Sequence, residues 1–128
     1  MRSIRMIIPM VLAFTLASCT AQPGPKDLNP AEFEKALQTG TAQLVDVRTP
    51  AEYSSGHLKD ALLIDQSGSQ FNEGIAKLDK NKPVLLYCAS GRRSASARDA
   101  MEKAGFKDVK HLIGGIGAWS AAGKPVVR

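Results

Sequence analysis

Apolar residues in this chain come in short bursts separated by Gly, Pro and charged stretches, and the spacing inside the bursts alternates between two types. In 29–40, NPAEFEKALQTG, Phe33, Ala36 and Leu37 recur at intervals of three and four, the spacing of one helix face. Asn29 can cap the first turn, Pro30 suits the first helical position and Gly40 can close the helix. The burst AQLVDV at 42–47 predicts a strand. Thr49, Pro50 and Glu52 then supply a cap, a first-turn proline and an acid three positions after the cap, so a short helix follows and ends at Gly56. ALLID at 61–65 predicts a second strand. The segment 71–78 predicts a weaker helix, because Gly74 lies inside it. PVLLYC at 83–88 is apolar without alternation, as suits a parallel strand covered on both faces. A helix is predicted over 94–104, closed by Gly105, then a strand and glycine turn within KDVKHLIGG and a last short helix in IGAWSAAG. Strand and helix alternate throughout. The pattern predicts a single α/β domain with a mainly parallel central sheet and helices on both faces.

The first residues follow a different pattern. Arg2 and Arg5 precede a largely apolar run from Met6 to Leu16, broken by Pro9, which is too short for a membrane span of about 20 residues. Small residues then lead to Cys19, in the manner of a signal peptide. Leu16-Ala17-Ser18-Cys19 resembles the lipobox of bacterial lipoproteins, which implies cleavage before Cys19, lipidation of Cys19 and a cell-envelope location, anchored to the membrane and facing the periplasm or the exterior. The chain is thus read as a signal peptide over 1–18, a Pro/Gly-containing tether over 19–28 and a domain over 29–128.

Removing 1–18 leaves 110 of the 128 residues, enough for one modest core, and lowers the formal charge from +5 to +3. The lysines are scattered, and the aromatics are four Phe, two Tyr and one Trp. Nucleic-acid binding has little support in this pattern, and none is expected. No exposed apolar face is evident, so a monomer is expected.

With Cys19 lipidated, Cys88 is the one free thiol in a compartment where thiols usually pair. It stands at the carboxyl end of the third predicted strand, where ligands of open α/β sheets bind. The loop Cys88-Ala89-Ser90-Gly91-Arg92-Arg93 and Ser94 follow, with a helix expected to start near Arg93 or Ser94. Successive amides can converge on the sulfur, and Gly91 permits the positive φ such a cradle needs. A helix N-terminus stabilises a nearby anion by about 0.3–2 kcal/mol, and about 1.4 kcal/mol is a tenfold change in ionisation. The loop amides and the charges of Arg92 and Arg93 are expected to do the rest, leaving a substantial thiolate at neutral pH. An inert core cysteine is the alternative, but it leaves the glycine and the two arginines after it unexplained.

These residues resemble the rhodanese-like sulfurtransferases in their single-domain form. LVDVRTPAEYSSGHLKDA carries the early signature on Asp46, Val47, Arg48, Glu52, Tyr53, Gly56, His57 and Ala61, with Asp60 where relatives often have Gly. LLYCASGRRS matches the active-site loop on Cys88, Gly91 and Arg93, and HLIGGIGAW the late signature on Gly114, Gly115 and Trp119. The resemblance implies a persulfide on Cys88, a small anionic sulfur donor such as thiosulfate, a thiol or cyanide acceptor, and no metal or organic cofactor. Residues 89–94 would bind the substrate, with the arginines attracting the anion.

Two rival functions are weighed. Cysteine-dependent phosphatases and arsenate reductases of the same fold place arginine after five intervening residues, whereas here Arg93 is itself the fifth residue after Cys88. A non-catalytic envelope binding module is the second, and the intact cysteine loop speaks against it. Asp46 and Arg48 are read as a structural pair that could also support the site. Glu52 is read as a cap, His57 as a structural hydrogen-bonder, His111 as a strand residue near the surface and Trp119 as a packing anchor.

Overall fold

The computed structural model describes residues 24–128; the expected signal segment and Cys19 lie outside the described residues. Strand β1 (Asp27–Leu28) is followed by α1 (Pro30–Gln38), β2 (Gln43–Asp46), α2 (Pro50–Ser55), β3 (Leu62–Leu63), α3 (Phe71–Ala76), β4 (Val84–Tyr87), α4 (Arg92–Lys103), β5 (Val109–Leu112) and α5 (Gly115–Ala121). The five strands form one sheet in the order β1-β5-β4-β2-β3, every pair parallel. Alternation along β4 divides the core. Val84, Leu86 and Cys88 pack with Ala97 and Met101 of α4 and Ile75 of α3. Leu85 and Tyr87 pack on the other face with Phe33 of α1 and Trp119 of α5. Each of these large apolar side chains contributes about 1.5–3 kcal/mol by leaving water.

Local chemistry starts the helices where the caps predict. Asn29 with Glu32, and Thr49 with Glu52, form reciprocal capping boxes, each with proline in the first turn. Three differences from the sequence reading bear on the architecture. Asp27–Leu28, inside the expected 19–28 tether, is an edge strand paired with His111 and Leu112. The two-residue pairing rests on a distant strand and leaves no periodic trace of its own. Helix α4 starts at Arg92, because Gly91 takes a left-handed turn (φ 99°) that lets the helix begin at once. Strand β3 keeps two residues of the predicted five, being paired on one side only, by β2. No helix among the described residues is long and apolar enough to cross a membrane.

Candidate active site

Strand β4 ends at Tyr87, and the next residue, Cys88, is completely buried on the α4 face of the sheet. The chain then turns sharply through Ala89, Ser90 and Gly91 into α4. In this turn the Gly91 amide donates to Cys88 Sγ at 3.0 Å. Helix α4 has no side chain capping its N-terminus, so its first amides remain available to the sulfur. Burial pushes the thiol pKa up. The hydroxyl and amide of Ser94, with the amides of Gly91 and Ser90, more than offset it, and the net displacement is downward. The stabilisation expected from the loop thus comes chiefly from hydrogen-bond donors.

A second turn holds the first in shape. Ile116 N donates to the Cys88 carbonyl (2.8 Å) and Gly117 N to the Ala89 carbonyl (3.2 Å), so the start of α5 grips the backbone of the cysteine loop. This close approach requires glycine at 115. It has φ 59°, and a Cβ there would fall 2.5 Å from the Ala89 carbonyl carbon and closer still to the Cys88 oxygen. The second glycine of the late signature therefore serves the site by letting two backbones meet.

The two arginines behave differently. Arg93 makes a two-pronged ion pair with Glu52, both contacts at 2.8 Å. Glu52, read from the sequence only as a cap, also accepts from Thr49 N and Oγ1, and the Arg93 guanidinium holds its carboxyl down at about 2. Arg93 is therefore largely neutralised and ties α4 to α2. Arg92 is exposed, with no ion-pair partner among the described residues, and is the uncommitted charge of the loop.

Asp46 and Arg48 form a buried ion pair (2.7 Å), and Arg48 Nη2 donates to the Gly56 carbonyl. These bonds fasten the end of β2 to the end of α2, which is the structural role. His57 stacks on Tyr53 at 3.7 Å, its Nδ1 2.9 Å from the Tyr53 carbonyl, and its backbone pairs with Val127. Trp119 packs edge-on against Phe33. His111 departs from its expected place near the surface: it is 6% exposed. The β1 edge, unseen in the pattern, covers it. It contacts Ser94 and Asp27, a juxtaposition of residues far apart in the chain that no local spacing signals.

Comparison with known proteins gives the family of this fold. Residues 29–122 match the rhodanese-like domain family. The chain is 42% identical over 99 residues to the probable adenylyltransferase/sulfurtransferase MoeZ of Mycobacterium tuberculosis, covering 77% of this chain but only 25% of that protein. It is 40% identical over 96 residues to the thiosulfate sulfurtransferase GlpE of Coxiella burnetii, covering 75% of this chain and 88% of the relative. The crystal structure of a rhodanese-related protein from Thermoplasma volcanium superposes with a TM-score of 0.71 at 28% identity, covering 80% and 98% of the two chains. In sequence and fold alike, the chain belongs to the rhodanese-like domain family.

Proposed function

We propose that this domain is a sulfurtransferase that carries a sulfane sulfur as a persulfide on Cys88. The observation that carries the reading is Cys88 Sγ at the N-terminus of α4, receiving the Gly91 amide and held below its ordinary pKa. A thiolate is the nucleophile that such a transfer needs. It attacks the outer sulfur of thiosulfate; the sulfur–sulfur bond breaks and sulfite departs with the electron pair. An acceptor thiolate, or cyanide in an assay, then attacks the outer persulfide sulfur, and the Cys88 thiolate leaves with the electrons of that bond. The loop amides stabilise the charge at both stages. Arg92 draws the dianion. The name of the Coxiella relative supports thiosulfate as a donor. Because Cys88 is fully covered, the groups over it have to move aside for the donor to reach the sulfur. We also infer that the domain is tethered at the cell envelope by lipid on Cys19.

Intact-mass measurement after incubation with thiosulfate tests the chemistry. Cys88 gains one sulfur atom, cyanide removes it with release of thiocyanate, and Cys88→Ser gains none. No added sulfur on the folded protein favours a binding module. Hydrolysis of an aryl phosphate without thiosulfate turnover favours the phosphatase rival. Mass spectrometry of the protein from its native membrane tests the lipid.

A further inference from the structure

Behind the sulfur lies a hydrogen-bonded chain that the two transfer steps leave without a task. On β5, His111 places Nε2 2.9 Å from Asp27 Oδ1 and Nδ1 3.0 Å from the hydroxyl oxygen of Ser94. The parallel pairing of β1 with β5 sets Asp27 directly opposite His111. Ser94 is fully buried in the first turn of α4. Its hydroxyl is 3.2 Å from the carbonyl of Gly91, the residue whose amide holds Cys88 Sγ at 3.0 Å, and from that place helps draw the thiol pKa down.

Counting hydrogens shows what this chain can do. Arg98 pairs with the same Asp27 oxygen and keeps that carboxyl ionised. A carboxylate only accepts, so the hydrogen of the imidazole sits on Nε2. When the ring is neutral, its bare Nδ1 accepts the Ser94 hydrogen. That single hydrogen has three takers: His111, the Gly91 carbonyl and the sulfur. When the ring is protonated, Nδ1 becomes a donor to the Ser94 oxygen, and the serine hydrogen is released. A thiolate then attracts it more strongly than a neutral carbonyl does.

We propose that Asp27 and His111 are positioning residues that act through Ser94: protonation of the imidazole turns the serine hydroxyl toward Cys88, and deprotonation withdraws it. The inference deepens the sulfurtransferase reading and rests on it only for its consequence. A hydrogen-bonded thiolate is the better leaving group when an acceptor takes the sulfur, and a freed thiolate is the better nucleophile toward a donor. The proton exchanges with water where Asp27, Arg98 and His111 border an open cleft that also reaches Ser90 and Gly91. The charged groups facing the ring are Asp27 from β1 and Arg98 and Asp99 from α4, while β4 offers Leu86 in register, with the Cys88 thiol beyond Ser94. Burial and the Arg98 charge hold the ring below its usual value against the pull of Asp27 and Asp99, which sets the switch on the acid side of neutrality.

The test is the pH profile of Cys88 alkylation by iodoacetamide in the full chain, read at Cys88 by peptide mass spectrometry, with the midpoint as the readout. Wild type shows two linked ionisations, since each group alters the other's proton affinity. His111→Phe collapses them to one and raises the ionisation constant of Cys88, read from the midpoint, about fivefold, by freeing the serine hydrogen. In a Ser94→Ala background the same His111→Phe substitution changes that constant less than about twofold, the behaviour of a residue acting only through the hydroxyl. Asp27→Asn, at an exposed sheet edge, moves the more acid ionisation lower and decides the matter alone if His111→Phe does not fold. A single ionisation in wild type, an unmoved profile in Asp27→Asn, or a His111→Phe effect undiminished without Ser94 overturns the proposal. Failure of sulfur to appear on Cys88 would instead sink the transferase reading while leaving this profile intact.

Discussion

Glu52→Gln separates the two arginines of the loop. The substitution keeps an amide oxygen for the Thr49 cap, which glutamine serves nearly as well as glutamate, and removes the charge that neutralises Arg93. A carboxyl displaced from 4.5 to about 2 corresponds, taken whole, to about 3 kcal/mol. Both side chains are about one-third exposed (34% and 32%), so solvent screening reduces the contribution to about 1 kcal/mol. The folded carboxyl is the more acidic, so this stabilisation is present above about pH 4.5 and is lost as the pH falls toward 2. Thermal unfolding at pH 7 is therefore expected about 4–8 °C lower in Glu52→Gln, with the gap closing as the pH drops below 4.5. Activity moves the other way. One uncompensated positive charge beside the loop lowers KM for thiosulfate on the order of fivefold at low salt, about 1 kcal/mol of added attraction for a dianion, and salt erodes the gain. Steady-state kinetics at two ionic strengths and melting curves from pH 7 to 3 measure both effects. An unchanged or higher KM in a folded variant would refute the view that Glu52 holds Arg93 back from the substrate; a stability gap that does not narrow with acid would refute the ion-pair accounting.

Two further predictions concern backbone shape. Gly115→Ala drives a methyl group into the carbonyls of Cys88 and Ala89 and imposes a left-handed conformation on alanine, so stability falls by about 3 kcal/mol and transferase activity collapses; a variant with normal melting and turnover would show that the two turns do not depend on that contact. Asp60, at φ 65°, is the one non-glycine residue with positive φ among the described residues. Asp60→Gly raises stability by about 0.5 kcal/mol in denaturant titration, because relief of left-handed strain slightly exceeds the entropy of an unfolded glycine, whereas Asp60→Ala lowers it; the reverse order would count against the strain.

Much was legible along the chain because it depends on neighbours in sequence. The caps at Asn29 and Thr49, the apolar run into Cys88 and the glycine that turns it into a helix are local properties, and they suffice to place a thiol at a helix start at the end of a parallel strand. They also supplied the spacing from Cys88 to Arg93. Which charge is free was not local. Arg92 and Arg93 read alike in the sequence, and only the packing of α2 beside α4 brings Glu52 to one of them. The same holds for His111, whose burial and partners come from β1 pairing with β5 and from the first turn of α4. Alone, the chain determined every element but β1 and the place of Cys88 at a strand end before a helix, since periodicity and backbone permissiveness act over a few residues. The tertiary structure decided which donors reach the sulfur, which arginine is left for a substrate and what the buried histidine touches, because hydrogen bonds and ion pairs act over about 3 Å and do not record separation along the chain.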